Sequence, residues 1–569
     1  MKVLKFTMNQ KQRKVMEFAG SLFLSLAAFL LIYKWIPVVY STNDDRMIAE
    51  IVSGKFTGTP ESYGIQMTYG YTWFLSQLYR WMGSFNWYGI LLIGVQIFSF
   101  GAVLYRLQSF CERFRDKAVL LLTVVGVYLA AYLKVYVQLT YTTTAAFVGF
   151  AAIFWYASSK TDWKNILMTG LLANIAFCIR PNVFYLLLPA TGLIYLWKLM
   201  DRKDHKKLKV AAPFLILAVT LGLFLTDHAA YEKDGWKEFR EFFQLRTDVY
   251  DYYDLLSFEE YPELYEPYGI TKEEYNLLRI YDYTVLGNLP KEFFPEYLEA
   301  VKAMEAKEGN AFLNRMKHAV TEFGEGVFTN AYGIQNTLLW IIAVAMTVIF
   351  FRRRQFFYGW YLACQLLVSA AMWLYFTYWD RAIERIQVTM SLIFLAVVLH
   401  AACELKKIRR PKNRLWKKYV QIPVLVGIFL LAGMNFRNYR YENIAKAKWY
   451  EDVESIEAYC AKDPERLYYM DVATLTELYG RCTIRNTGEK YLNYLCLGDW
   501  TAYCPHYEEK RKNHGVENVA ETLKDENTYV IILHNYQLQC LKDYLKAGES
   551  WVETIWGANE TMYGIYQFH

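Results

Sequence analysis

Long apolar stretches alternate with polar segments along the whole chain. A helix that crosses a membrane needs about 20 predominantly apolar residues, and on this criterion the sequence predicts about eleven transmembrane helices. They lie near 18–36, 87–105, 118–137, 142–158, 166–179, 182–198, 210–226, 336–351, 356–377, 386–402 and 419–434. The pattern therefore predicts an all-α polytopic membrane bundle.

Lysine and arginine are concentrated at the N-terminus and in alternate connections between these helices. The basic stretches are 2–14, 106–117, 198–209, 352–354 and 406–418. Basic connections stay on the cytoplasmic side of a membrane, and all five fall on one side if the predicted helices are counted in order. The N-terminus is therefore predicted to be cytoplasmic, and the longer segments 41–86, 227–335 and 435–569 are predicted to be extracytoplasmic.

The last of these segments has the pattern of a small α/β domain. Helices are predicted near 444–461 and 515–524, and strands at 467–471, 529–533 and 561–568. The chain is accordingly divided into a transmembrane bundle, 1–434, with external loops 41–86 and 227–335, and a C-terminal extracytoplasmic α/β domain, 435–569.

The composition agrees with this division. Of 569 residues, 54% are hydrophobic, yet the mean hydropathy is only +0.06, so sizeable polar segments accompany the apolar helices. The net charge of +6 resides in the connections, where it indicates orientation, and no nucleic-acid partner is predicted. The first apolar run lacks a signal-peptide cleavage site. We therefore expect a retained first helix in a multi-pass protein of a bacterial plasma membrane.

Neither cysteine nor histidine indicates a cofactor. The cysteines at 460, 482, 496, 504 and 540 fall in the predicted external domain without a CxxC spacing, and the chain has no HExxH motif. No cofactor and no catalytic zinc are predicted, although a divalent metal bound by acidic side chains remains open.

Two adjacent carboxylates, Asp44 and Asp45, follow the first predicted helix within a few residues of the membrane boundary. Charge at that depth is costly and indicates a functional site. The alternative is helix capping, in which Thr42, Asn43 or Asp44 caps a helix that starts near Arg46. A carboxylate at this position can also act as a general base towards an acceptor hydroxyl.

The middle external loop is rich in tyrosine and acid. Between Tyr250 and Tyr275 it holds eight Asp or Glu residues and a single Lys. This run is either a solvated helical face or part of a sugar-binding wall.

The order of features in the first loop resembles that of the membrane-embedded GT-C glycosyltransferases, which include protein O-mannosyltransferases and aminoarabinose transferases. The shared features are the first helix, the Asp44-Asp45 pair, a helix ending in Ser53-Gly54, and an aromatic amphipathic stretch at 71–82. The resemblance implies that Asp44 is catalytic, with Asp45 as its partner. It also implies that 71–82 lies along the membrane surface, with Trp73, Leu75, Leu78 and Trp81 towards lipid.

Arginines at predicted outer helix ends extend the resemblance. Arg180, followed by Pro181, lies at the outer tip of two short helices, as an Arg-Pro does in many relatives, and Arg381 and Arg385 lie at the outer entry of the tenth helix, where relatives hold the phosphate of the donor. The resemblance implies that these three arginines bind that phosphate, and the planar guanidinium suits phosphate oxygens. Two alternatives remain open. Arg180 can simply reach the membrane interface, and Arg381 and Arg385 can form a structural ion-pair cluster with the adjacent Asp380 and Glu384.

These observations lead to one expected function and two alternatives. The leading hypothesis is a glycosyltransferase that moves a hexosyl or pentosyl group from a polyprenyl-phosphate donor to a glycan, lipid or protein acceptor of the cell envelope, with inversion. A transporter or flippase of lipid-linked or polymeric glycans is the first alternative, but such proteins place charges near the midplane of the membrane. A non-catalytic envelope protein is the second.

Overall fold

The computed structural model describes residues 9–200, 206–233, 235–307, 311–329, 333–408, 422–478, 480–486, 493–557 and 560–569. Several of the basic positions used to predict orientation, Lys2, Lys5, Arg202, Lys203 and 409–418, lie outside the described residues.

Each of the predicted membrane segments corresponds to a helix in the described part of the chain. Seven of these helices are long and apolar enough to cross a membrane: α1 (Gln10–Trp35), α4 (Trp87–Gln108), α9 (Pro181–Met200), α10 (Lys206–Tyr231), α15 (Gly333–Arg352), α16 (Phe356–Tyr378) and α17 (Glu384–Ile408). The other four are α5 (Phe114–Ala131), α7 (Tyr141–Ser158), α8 (Trp163–Ile179) and α18 (Ile422–Lys462). The prediction of a polytopic helical bundle is confirmed.

Helix α7 lies at the centre of the bundle. Every residue from Tyr141 to Ala157 is buried, and the helix packs on α4, α8, α9 and α17. Small residues allow this close packing, because a Cβ atom at Gly149 would lie 2.7 Å from the methyl groups of Leu187. The N-terminal end of α7 is thereby fixed where the functional site forms.

The first external loop contains two helices, α2 (Asn43–Ser53) and α3 (Tyr69–Trp81). Strand β1 (Val39–Tyr40) leads into α2 and pairs in parallel with β2 (Gln138–Leu139), which follows the short helix α6 (Leu133–Val137). Helix α2 ends at Gly54, whose φ of 84° is left-handed and therefore favours glycine.

The predicted lipid-facing stripe of α3 is partly wrong. Trp73 and Trp81 are exposed as expected, together with Phe74, but Leu75 is fully buried. The exposed apolar face is therefore centred on the aromatic residues, and Leu75 belongs to the core because it lies on the opposite side of the helix from Trp73.

The middle external segment is helical. Its elements are α11 (Trp236–Asp248), a π-helical turn (Val249–Tyr253), α12 (Lys272–Arg279), α13 (Leu289–Lys307) and α14 (Ala311–Thr329), with short 3₁₀ turns between them. Within the acidic run, Glu259 pairs with Lys272 in solvent, as a solvated face requires, whereas Asp251 faces the cavity described below.

The C-terminal segment folds as the predicted α/β unit. Its five-stranded sheet has the order β4-β3-β5-β7-β6, with β4, β3 and β5 parallel and β7 and β6 antiparallel. The strands are β3 (Leu467–Met470), β4 (Tyr494–Cys496), β5 (Thr528–Ile532), β6 (Glu549–Trp556) and β7 (Met562–Phe568). The helices are α19 (Val472–Glu477), α20 (Pro505–Asn513), α21 (Val519–Thr522) and α22 (Asn535–Leu545).

Several elements of this segment differ from the sequence prediction. Helices α19, α20 and α22 were not predicted, and α21 is shorter than the helix predicted near 515–524. Strands β4 and β6 were not predicted, and the last membrane helix runs without a break to Lys462, where two helices were expected. No proline or glycine signal separates the apolar part of α18 from its amphipathic part at 444–461, so the helix continues out of the bundle. The nine cysteines are all free thiols.

The two large external segments share one apolar core. Buried residues from Tyr231 to Val301 and from Leu467 to Phe568 form a single cluster. Backbone contacts join them closely: Thr284 N donates to Leu497 O at 3.0 Å, and a Cβ atom at Gly498 would overlap the carbonyl of Tyr281. The two segments therefore form one body above the membrane helices.

A short stretch of the C-terminal segment, Gly480–Asn486, which we name the clamp segment, pairs with both ends of the first loop. Tyr40 N donates to Gly480 O at 2.8 Å and Cys482 N donates to Val38 O at 3.0 Å. At the other end of the loop, Asn86 N donates to Ile484 O at 2.9 Å. The backbone on either side of α2 and α3 is thus fixed by the C-terminal segment.

Candidate active site

One cavity of about 730 Å³ lies where the predicted outer ends of the membrane helices meet the external segments. It is lined from α2, from the facing ends of α7, α8, α9 and α10, from α11, and from the start of α17. Trp500 of the C-terminal segment completes the wall. The cavity therefore draws on every predicted external region.

Asp44 lies in the first turn of α2 and lines the cavity. The preceding Thr42 is the N-cap residue and makes no side-chain capping bond, so the capping alternative does not account for Asp44. The Asp44 side chain is 16% exposed, and its Oδ2 accepts a hydrogen bond from Arg385 Nη1 at 3.4 Å. The carboxylate of Asp44 is therefore accessible to a ligand in the cavity and is paired with one cation, Arg385.

Asp45 does not line the cavity and is fully buried behind Asp44. Its Oδ1 accepts hydrogen bonds from Tyr88 Oη at 2.6 Å and from Tyr141 N at 2.8 Å, and its Oδ2 accepts one from Thr42 Oγ1 at 2.9 Å. Burial outweighs these hydrogen bonds and raises the pKa of Asp45 to about 7. Asp45 thus ties α2 to α4 and α7, and the two acids have different surroundings.

Arg180 lies between α8 and α9 and also lines the cavity. Its Nη1 donates to Gln66 Oε1 at 2.5 Å and to Gln66 O at 3.1 Å, and its guanidinium lies over the ring of Tyr141 at 5.1 Å. These contacts orient Arg180 towards the cavity, in contrast with a side chain that merely reaches the membrane interface.

Arg381 and Arg385 line the same cavity at the start of α17. Arg381 Nη2 contacts Asp251 Oδ2 at 2.9 Å, and Arg385 contacts Asp44. The neighbouring acids that could have formed a local ion-pair cluster have other partners, since Glu384 pairs with Lys134 and Asp380 lies 3.9 Å from His318. Four of the five predicted site residues therefore meet in one cavity, and Asp45 lies directly behind it.

Sequence reasoning did not find the contribution of α11. The side chains Lys237, Arg240, Gln244 and Thr247 line the cavity, and their spacing of three and four residues is that of one helical face. This periodicity of polar residues was the signal that could have identified them. Trp500 gave no comparable signal, because only the tertiary fold brings it to the cavity, whereas Asp251 belongs to the acidic run that the sequence indicated as a solvated face or part of a sugar-binding wall.

Among the described residues, no histidine lines the cavity. His228 is half-exposed, lies 3.7 Å from Glu232 and does not line the cavity. Within the residues that the structure describes, no three His, Cys, Asp or Glu side chains are grouped as metal ligands.

The chain was compared with family models, curated proteins and solved structures. No family model matches the chain, and no curated protein matches it. Among solved structures, the crystal structure of ArnT from Cupriavidus metallidurans bound to undecaprenyl phosphate matches with 13% sequence identity and a TM-score of 0.42, covering 96% of this chain and 97% of that chain.

Proposed function

We propose that the protein is a multi-pass membrane glycosyltransferase that uses a polyprenyl-phosphate-linked sugar as donor and a cell-envelope molecule as acceptor. The observation that carries this proposal is the meeting of Asp44 with Arg180, Arg381 and Arg385 in one cavity at the predicted outer ends of the membrane helices. Transfer of a sugar from a lipid phosphate needs a base for the acceptor and cations for the leaving phosphate, and the cavity offers both.

Asp44 is the base in this proposal. Its carboxylate takes the proton of the acceptor hydroxyl while the hydroxyl oxygen forms a bond to the anomeric carbon of the donor sugar. The bond from that carbon to the phosphate oxygen breaks, and the phosphate keeps the electron pair. A single displacement from the face opposite the leaving group inverts the anomeric centre.

The arginines hold the phosphate on which this charge develops. Guanidinium groups bind phosphate oxygens in pairs and remain charged at all working pH values. Arg381 and Arg385 each contact an acid in the cavity, at 2.9 Å and 3.4 Å respectively, and in this proposal binding of the donor exchanges these partners for phosphate. The weaker contact to Asp44 is then released as the base is needed.

The cavity also has an apolar side suited to a lipid carrier. Tyr185 and Phe224, on α9 and α10, line it, and both side chains are exposed. A polyprenyl chain can therefore leave the cavity towards the surrounding lipid between these helices, while the external segments face water.

The position of the charges favours a transferase over a transporter. The lining side chains Asp44, Arg180, Asp227 and Arg385 lie at helix ends or beside them. A transporter holds its charged groups near the midplane. Charged side chains at the helix ends suit a reaction at the membrane surface.

The test is sugar transfer by membranes that contain Asp44→Asn, given a mixture of radiolabelled polyprenyl-phosphate sugars. General base catalysis contributes about 10²–10⁴-fold, so we expect a loss of that size with expression unchanged. Asp116→Asn is the matched control, because Asp116 is an exposed acid in the first turn of α5. Wild-type transfer by Asp44→Asn would refute the assigned base.

A further inference from the structure

Most cationic side chains of the cavity are paired with a carboxylate. The pairs are Arg381 with Asp251 at 2.9 Å, Arg385 with Asp44 at 3.4 Å, Lys237 with Glu232 at 3.5 Å, and Arg240 with Asp227 at 3.7 Å. Arg180 and Arg246 also line the cavity, and no carboxylate of a described residue pairs with either. Among the described residues, neither guanidinium therefore has a carboxylate within ion-pair distance, although the buried carboxylate of Asp499 attracts Arg246 electrostatically from further away.

Arg246 is held in a fixed position by tyrosines. Its Nε donates to Tyr283 Oη at 2.9 Å, and its guanidinium lies 5.5 Å from the ring centre of Tyr250 and 5.6 Å from that of Tyr281. Tyr283 Oη in turn donates to the backbone carbonyl of Asp499. Tyr283 is bound at Nε and Asp499 acts only from a distance, so an anion in the cavity would supply the direct ion pair that stabilises an enclosed guanidinium.

We propose that the acceptor carries an anionic group, a phosphate or a carboxylate, and that Arg246 binds it. Arg180 then serves the phosphate of the donor, so that the two guanidinium groups without carboxylate partners match two ligands. This inference rests on the proposed function, since it divides one cavity between donor and acceptor.

The position of Arg246 in the fold indicates that it binds the acceptor. Arg180 lies at the ends of two membrane helices, at the level that a lipid phosphate reaches, whereas Arg246 lies on α11 in the external body. Its anchor Tyr283 is bound to Asp499, next to Trp500 in the cavity wall. Asp499 has a φ of 79°, and its Oδ1 accepts a hydrogen bond from Thr501 Oγ1 at 2.7 Å. The external body thus supplies a rigid wall on the side from which a water-borne group enters.

The inference is tested by ligand binding to the purified full-length protein, measured by titration of tryptophan fluorescence. The probes are undecaprenyl phosphate, undecaprenyl diphosphate, glucose 6-phosphate, glucuronate and glucose. Arg246→Gln removes the charge and Arg246→Lys retains it, while Arg180→Gln serves the donor side. Arg279→Gln is the matched control, because Arg279 is an exposed arginine of the same external segment outside the cavity.

We expect an anionic sugar to bind the wild type about tenfold more tightly than glucose, the factor that a charge-assisted hydrogen bond supplies. Arg246→Gln should abolish this difference and leave the affinity for undecaprenyl phosphate unchanged. Arg180→Gln should lower the affinity for undecaprenyl phosphate and leave the preference for an anionic sugar unchanged. Arg246→Lys should retain part of the preference, which shows that the variants fold. Preference for glucose 6-phosphate or for glucuronate tells phosphate from carboxylate.

Equal binding of glucose and both anionic sugars to the wild type would overturn the inference. So would an Arg246→Gln variant that loses affinity only for undecaprenyl diphosphate, because the anion would then be a second phosphate of the donor. Failure of both lipid phosphates to bind the wild type would overturn the proposed function, whereas failure of the anionic sugars alone leaves that function standing.

Discussion

At the scale of single residues, the two neighbouring acids of the first loop have different positions and different roles. Asp44 faces the cavity beside Arg385, whereas Asp45 is enclosed by Tyr88, Tyr141 and Thr42. A helix turn of 3.6 residues points consecutive side chains about 100° apart, so only one of two adjacent acids can face the cavity. The other is available to fix the helix that carries it.

The burial of Asp45 has a consequence for stability. In the folded protein burial raises the pKa of Asp45 to about 7, whereas an unfolded chain gives aspartate a pKa of about 4. Between these values the folded state binds more protons, so its stability falls as the pH rises through this range. Asp45→Asn cannot titrate, and we expect its stability to fall less steeply.

The thermal midpoint of unfolding is measured in detergent at intervals from about pH 5 to about pH 8. Across this range the midpoint of the wild type should fall by more than that of Asp45→Asn. Asp116→Asn, an exposed acid, controls for loss of charge alone and should follow the wild type. Parallel curves for wild type and Asp45→Asn would show that Asp45 ionises equally in the folded and unfolded states.

The sequence identified those residues of the candidate site whose charge is unusual for their position in the chain. Asp44, Arg180, Arg381 and Arg385 are charges beside long apolar stretches, and this costly position marked them. Arg246 is one charge among many in a polar segment, so nothing in its local sequence set it apart. Arg246 contacts Tyr281 and Tyr283, which lie more than thirty residues away in the sequence, so only the tertiary fold brings them together.

At the scale of elements, the membrane helices were predictable because each carries its own signal of length and hydropathy. The clamp segment, Gly480–Asn486, was not, because its pairing joins residues some 400 positions apart. Strand β4 is three residues long and β6 is largely exposed, so neither presents the alternation that identifies a half-buried strand.

The clamp segment yields a prediction about α2. Cys482→Pro removes the N–H group that donates to Val38 O, and an unmade buried hydrogen bond costs about 1–3 kcal/mol. We expect a lower free energy of unfolding and faster trypsin cleavage at Lys55 in the first loop. Sugar transfer should fall as well, because α2 carries Asp44.

The matched control is Cys482→Ala, which loses the same buried thiol but keeps the backbone N–H group. The difference between the two variants isolates the backbone hydrogen bond. Identical thermal midpoints and cleavage rates would show that the clamp segment does not hold the first loop in place.

At the scale of the whole molecule, the external segments are part of the site. Trp500 and α11 line the cavity, and the segments that hold them share one core. Arg180 and Arg385 lie at ends of the apolar helices, Asp44 lies on α2 of the first loop, and the external body forms the remaining wall of the cavity. A predicted division at residue 434 therefore falls within α18, which runs from Ile422 to Lys462 and joins both parts.

The proposed function requires that the cavity open on the extracytoplasmic side. The distribution of basic residues predicts this orientation, and it can be measured directly. Single exposed glutamates replaced by cysteine report sidedness through a maleimide that does not cross membranes. Glu260→Cys and Glu521→Cys lie in the external body, and Glu112→Cys lies in a basic connection. The first two should react in intact cells, and Glu112→Cys only after permeabilisation. Wild-type protein, whose nine cysteines are buried or half-buried, gives the background. The opposite pattern would place the cavity in the cytoplasm and remove the reason to assign it a donor presented on the outer face.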